Sequence, residues 1–205
     1  MKRKILSISA FALLVLLYGC YPAGPEYVEE IDIAYSNYDN TFDFVSKGTY
    51  SIPDKITKVT GDPNKPPQYV KDIYGVPMLA QINANMQALG WQKVDVNSNP
   101  DVQLLPAAWE STTIIYGGYW GSYYCWYYPY YCGGGWYYPY TPVTTYSTGT
   151  LVMTLVDPKV ESTDESRRVV WTGAINGLLS GAYDANRVNN GINKVFGQSP
   201  YLKTN

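Results

Sequence analysis

Histidine is missing from all 205 residues of the chain. That removes the commonest metal-ligating side chain and the usual general base near neutral pH. Cysteine is nearly as scarce, with Cys20, Cys125 and Cys132 the three in the sequence. Charged residues make up 16% of the chain, and none of either sign falls between Glu110 and Asp157. No serine sits in a Ser-x-x-Lys or Gly-x-Ser-x-Gly frame, so no activated hydroxyl nucleophile is signalled. What acid–base chemistry remains would need paired carboxylates. Glu26, Glu29, Glu30 and Asp32 cluster in a segment unsuited to fixing two oxygens, and Glu110 and Asp157 flank the uncharged stretch. The expectation is a protein that is not an enzyme and carries no cofactor.

What is present begins at the N-terminus. Lys2, Arg3 and Lys4 precede an apolar run centred on Phe11–Leu17. A basic start, a short apolar stretch and a small residue at the cut mark a secretory signal, too short for a lasting membrane span. The sequence Leu17-Tyr18-Gly19-Cys20 resembles a lipobox, although Tyr18 is bulky for its place. Residues 1–19 are therefore read as a lipoprotein signal peptide, with Cys20 the lipidation site and 20–30 a lipidated tether containing two prolines and a glycine. Acyl chains contribute about 0.8 kcal/mol per buried CH₂, so two or three hold a protein to a bilayer durably. Tyr21 follows the cysteine in place of the aspartate of inner-membrane retention. In a Gram-negative host the expectation is an outer-membrane lipid anchor in the cell envelope.

Loss of the signal turns 15 basic and 17 acidic residues into 12 and 17, a net charge of −5. With no basic stripe left, nucleic acid is not an expected partner. The membrane, through the anchor, is, together with an envelope protein or glycan. Removing Cys20 from the thiol count leaves Cys125 and Cys132, a candidate disulfide in an oxidising compartment.

Residues 31–205 suit one domain. Ile31–Tyr35 and Thr49–Ile52 read as strands, and Gly61–Pro67 as an exposed loop. A helix is expected over Val76–Leu89, with Leu79, Ile82, Met86 and Leu89 as its stripe, Pro77 in its first turn and Gly90 at its exit. "VDVNSNPDVQLLPAAW" gives a turn and a strand. Its Asp95–Asp101 portion has alternating oxygen ligands, but Pro100 and Pro106 stand where a calcium loop needs glycine and glutamate, so an Asx turn is expected. Gly149–Lys159 is a strand apolar on both faces, stopping at Asp157-Pro158. "RRVVWTGAINGLLS" is another, with Val169, Trp171 and Ile175 in phase. A last helix starts near Asp184 and carries Val188, Ile192, Val195 and Phe196, with Gly197 and Pro200 ending it. Strands in a run with two helices imply an α+β fold, an antiparallel sheet with both helices packed on one face.

Several of these segments occur together in one order: "FDFVSKGTYSIPD", a helix ending in "ALGW", "NPDVQLLPAA", "GTLVMTLVDPK", "VVWTGAINGLL" and "INKVFGQSP". This order is similar to bacterial envelope lipoproteins of the domain-of-unknown-function 4136 family, over roughly Tyr35 to Leu202. Its most specific part is the double strand Gly149–Gly173. The resemblance implies a lipidated α+β protein at the membrane and brings no catalytic residue or cofactor.

Residues 116–146 form a Tyr/Trp/Gly-rich, hairpin-like insert, denser in aromatics than the resemblance leads one to expect. "WYYPY" occurs twice, at Trp126–Tyr130 and Trp136–Tyr140. Each proline pushes the tyrosine before it towards extended backbone, and Gly133–Gly135 supplies a reversal. A Cys125–Cys132 bond would close a short loop, contributing on the order of 2–3 kcal/mol. Candidate partner-binding residues are Trp120, Trp126, Tyr127, Tyr128, Tyr130, Trp136, Tyr137, Tyr138 and Tyr140. Three readings stay open. Ser111–Tyr119 and Thr144–Val156 extend a hairpin whose rings pack on the sheet's open face. Or the rings are displayed to an envelope partner or glycan. Or they lie at the bilayer interface. The functional expectation is a lipid-anchored envelope protein with a non-catalytic binding or scaffolding role through this insert; the alternative is a glycan-binding or carboxylate-dependent glycan-processing protein.

Overall fold

The computed structural model describes residues 33–59, 66, 68–109, 113–114, 136–141, 145–146, 149–160 and 167–205. All belong to one compact unit, Ile31–Asn205. Strands are β1 (Ile33–Tyr38), β2 (Thr49–Ser51), β3 (Thr57–Val59), β4 (Gln68–Tyr69), β5 (Gln92–Lys93), β6 (Val102–Trp109), β7 (Thr113–Ile114), β8 (Trp136–Tyr137), β9 (Thr145–Tyr146), β10 (Leu151–Val160) and β11 (Arg167–Asn176). The helices are α1 (Asp72–Ala88) and α2 (Ala185–Gly197).

The sheet runs β1-β11-β10-β6-β2-β5, with β3 on β6 beside β4, and β8 on β11. The pairs β1/β11, β11/β10 and β10/β6 are antiparallel, as expected from the sequence. The flanking pairs β2/β6, β3/β6, β2/β5 and β8/β11 are parallel, so the sheet is mixed, not antiparallel throughout. The parallel partners are two or three residues long, too short for periodicity to announce them.

Each strand face has its own core. On the helix side, Leu104, Ala108, Leu151, Met153, Leu155, Trp171 and Ile175 meet Met78, Leu79, Ile82 and Met86 of α1 and Val188, Ile192, Val195 and Phe196 of α2. On the other side, Leu105, Ala107, Trp109, Val152, Val156, Val169 and Ala174 form a second cluster. This is why β6 is buried along its whole length and its sequence reads as apolar without alternation.

α2 begins as its sequence predicts. The Asp184 carboxylate accepts from Asn186 N at 2.7 Å and Arg187 N at 3.0 Å, closing the first turn. Three differences from expectation have local causes. α1 starts at Asp72, so Pro77 lies in its second turn; Ile73, whose carbonyl would have accepted from position 77, is 71% exposed, a position where solvent can satisfy a carbonyl without its helix donor. β10 passes Pro158 to Val160, and its pairing with β11 is irregular after Leu155, a setting that tolerates a proline without a ladder donor. β1 covers Ile33–Tyr38 and pairs with β11 along its full length. Among the described residues no helix is long and apolar enough to cross a membrane.

Candidate functional site

Of the residues singled out in the sequence, Cys20, Cys125, Cys132, Trp120, Trp126, Tyr127, Tyr128 and Tyr130 lie outside the described set, as does Glu110. The second "WYYPY" copy is described. Trp136 and Tyr137 pair parallel to Arg167 and Arg168 at the edge of β11. Trp136, Tyr138 and Tyr140 pack on the second cluster, with Tyr138 and Tyr140 edge to face at 5.8 Å. The Tyr140 hydroxyl and Thr172 Oγ1 are 2.9 Å apart, and Asn37 Nδ2 donates to Thr141 O at 3.2 Å. These rings therefore lie on the sheet rather than standing away from it. At the insert's base, β7 and β9 pair antiparallel through Thr113↔Tyr146 and Ile114↔Thr145.

The carboxylates are engaged locally. Asp157 is buried and accepts from Lys159 N at 2.9 Å. Asp95 Oδ1 accepts from Asn97 N at 2.8 Å, and Asn99 takes φ 54° in the turn that follows. Asp101 Oδ2 accepts from Gly48 N and Thr49 N, each at 3.0 Å, and from Thr49 Oγ1 at 2.8 Å. Burial pushes the Asp101 carboxyl upward, but the bonds from Gly48 and Thr49 and the Lys47 charge outweigh it and hold it below the usual range. The "DVNSNPD" segment is thus a turn that fastens β6 to β2. Among the described residues no group of three or more Cys, Asp or Glu is placed to hold a metal ion.

The feature that sequence reasoning missed is a cleft of about 710 Å³ on the helix side, at the end of the sheet where the insert leaves β6 and re-enters β10. Val70, just before α1, and Tyr74 and Met78 of α1 line one wall, Lys58 and Ala108 the strand side, and Leu178–Tyr183 the other wall, with Trp109 and Gly149 at the insert's roots. The Tyr74 and Tyr183 rings meet at 4.6 Å and 37° across the rim. The volume falls in the range of ordinary small-molecule sites, and an apolar lining with few polar groups is their usual character.

The wall formed by Leu178–Tyr183 is held by specific bonds. Gly149, at φ +81°, accepts from Leu179 N at 2.8 Å and donates to Trp109 O at 2.8 Å, so the two roots and the loop are stitched together. A β-carbon on Gly149 would come within 2.2 Å of Ser180 Oγ, which explains the glycine before the strand. From α2, the buried Arg187 donates through Nη1 to Ser180 O at 3.0 Å and through Nη2 to Gly177 O at 2.9 Å. A signal for this loop was present in "GLLSGAY": Gly177 and Gly181 both take positive φ, at 79° and 78°. The segment had been expected to continue the strand.

A model of the family described as Domain of unknown function (DUF4136) matches residues 34–201. The chain belongs to the DUF4136 family. A DUF4136 protein from Bacteroides thetaiotaomicron, known from its crystal structure, is 27% identical, with TM-score 0.66, covering 84% of this chain and 98% of that one. Lower likenesses are to a PelC dodecamer from Paraburkholderia phytofirmans (12% identity, TM-score 0.42, 84% and 98% covered) and a PDZ domain protein from Parabacteroides distasonis (15%, 0.43, 82% and 35%). No match is found among curated proteins. The DUF4136 match starts one residue into β1 and ends just after α2, so it takes in both cores, the cleft and the insert. Within that span, Trp171 packs across Gly173 beneath α2.

Proposed function

We propose that the protein is a lipid-anchored cell-envelope protein with a non-catalytic binding role, and that its ligand enters the cleft at the insert's root. The observation that carries this reading is the composition of the cleft. Met78, Val70, Leu178 and Leu179 give an apolar floor, two tyrosines form the rim and Lys58 brings the single charge of the lining. Such a surface suits an amphiphilic envelope component with an apolar chain and an anionic or carbonyl end.

The basic start, apolar run and lipobox-like Leu17–Cys20 of the sequence support the anchored setting. The insert then serves by shaping the cleft, since its roots at Trp109 and Gly149 are part of the wall. The test is binding of an anionic, environment-sensitive apolar dye, anilinonaphthalene sulfonate, to the native protein. One saturable site is expected, lost in Ala182→Trp, which fills the cleft from an exposed lining position. Saturable binding unchanged in that variant would overturn the assignment.

A further inference from the structure

On the sheet face turned away from the helices, a row of polar side chains is only half provided with partners. Register traces it across five strands. Asn37 of β1 opposes Thr172 of β11, Thr172 opposes Thr154 of β10, and Thr154 opposes Leu105 of β6. Gln103, two residues before Leu105 and so on the same face, opposes Ser51 of β2. Ala107, Val152, Val156, Val169 and Ala174 of the second cluster border the row.

The end of the row at β1 and β11 has its partners. Asn37 Nδ2 donates to Thr141 O at 3.2 Å, and Thr172 Oγ1 lies 2.9 Å from the Tyr140 hydroxyl, so the second "WYYPY" copy and its next residue serve both. The other end does not. Thr154 Oγ1, Gln103 Nε2 and Ser51 Oγ have no hydrogen-bond partner among the described residues, although Thr154 is 0% exposed and Gln103 and Ser51 are 2%. On the helix side, by contrast, the buried Tyr50, Trp91 and Trp171 are each bonded, to Asn83, to Leu202 O and to Ser199. A buried hydroxyl or amide is rarely left alone, so the unmatched half calls for an occupant that carries donors and acceptors.

We infer that the first "WYYPY" copy, Trp126–Tyr130, seats on this unmatched half, with the Tyr130 hydroxyl bonded to Thr154 Oγ1 as Tyr140 is to Thr172. That copy lies outside the described residues; what the described ones lack is what it carries. Tyr130 and Tyr140 are the fifth residues of identical pentapeptides. Their targets, Thr154 and Thr172, are directly opposed on neighbouring strands, which lie about 4.8 Å apart. The copies begin ten residues apart, at Trp126 and Trp136, with Gly133–Gly135 between them. A chain of that length spans at most roughly 35 Å, ample for a reversal and a shift of one strand. Charge agrees as well. Ser51, Gln103 and Thr154 are neutral, and no charged residue falls between Glu110 and Asp157. Main-chain carbonyls of the segment are the acceptors that Gln103 Nε2 needs. Trp136, Tyr138 and Tyr140 already pack on the same cluster, so the first copy extends an existing contact. Both copies then cover the sheet, and the rings of the first are not offered to an envelope partner.

Double-mutant cycles in the full chain, unfolded by urea without reductant, test the contact. Tyr140→Phe with Thr172→Val is the reference pair, whose contact is in the structure. Tyr130→Phe with Thr154→Val is the pair in question. Each single substitution is expected to lower the folding equilibrium constant about fivefold, and each double substitution by no more than one single, because the same bond is lost only once. The midpoints are expected to be independent of protein concentration. Additive effects in the Tyr130/Thr154 pair overturn the inference and leave Thr154 to ordered water. A Thr154→Val protein more stable than the native one overturns it too, since the hydroxyl then had no partner to lose. So does coupling that fades on dilution, which assigns the contact to a second chain.

Discussion

Trp171 lies across the bare Cα of Gly173, two residues on along the same face of β11, so that a β-carbon on Gly173 would come within 2.6 Å of the indole ring and 2.5 Å of Val195 Cγ1. The indole nitrogen donates to Ser199 Oγ at 3.1 Å, and Ser199 Oγ donates to Val195 O at 3.0 Å. One strand residue thereby fixes the height, the angle and the end of α2. Gly173→Ala should cost about 2–3 kcal/mol through overpacking, read as a lowered urea midpoint at unchanged m-value. A change within 0.5 kcal/mol would mean that α2 can lift away freely.

Asp101 joins β6 to β2 through its three bonds from Gly48 and Thr49. Its folded-state pKa is depressed, so its contribution is present above the unfolded value near 4 and is lost as pH falls through the lower folded value. Asp101→Asn should lower stability by about 1–3 kcal/mol at pH 7. The gap between the two proteins should close on acidification below pH 4. Urea titrations at a series of pH values check both the size and the sign.

Tyr50, fully buried, donates to Asn83 Oδ1 at 2.7 Å, and Asn83 Nδ2 donates to Leu79 O at 2.7 Å. Burial pushes the Tyr50 hydroxyl from 10.0 up to about 12. A raised folded value stabilises below the unfolded pKa near 10 and loses that contribution as pH climbs through 12. Tyr50→Phe should cost about 1–2 kcal/mol at pH 7, because Asn83 Oδ1 loses its donor. The same variant should flatten the fall of stability above pH 10, measured by near-ultraviolet circular dichroism.

How much of this was legible in the sequence depends on how local each cause is. α2 could be read directly, because Asp184, the apolar spacing from Val188 to Phe196 and Gly197 all act within one segment. The antiparallel centre of the sheet was legible too, since β6, β10 and β11 are long apolar runs. The start of α1 was misplaced because Ile73 and Val76 are apolar yet face outward, leaving no clean stripe to mark its first turns. The parallel neighbours β2, β3 and β8 depend on long-range register that no window contains. The cleft was hidden for a related reason: Tyr74 and Tyr183 are far apart in sequence, and neither stands in a motif. The aromatic insert drew attention by composition, and its described rings turn out to pack on the sheet.

Arg187 provides a direct link between α2 and the cleft. Its guanidinium holds Ser180 O and Gly177 O, so Arg187→Met should free the loop at Leu178–Tyr183 while leaving the sheet paired. The expected outcome is faster hydrogen exchange at Leu179 N, now bonded to Gly149 O, and dye affinity weakened about tenfold. Loss of stability of about 2–3 kcal/mol should accompany it, because the loop carbonyls lose charge-assisted donors.

The account centres on the proposal that the cleft is where this protein binds a ligand. A photoreactive phenylalanine analogue in place of Tyr183, irradiated in intact cells, tests that most directly, with the same analogue at Val45 as the opposite-end control. The account predicts a discrete adduct with an amphiphilic envelope component from position 183, suppressed by Ala182→Trp, and none from position 45. No adduct at 183, or equal adducts from both positions, would contradict it.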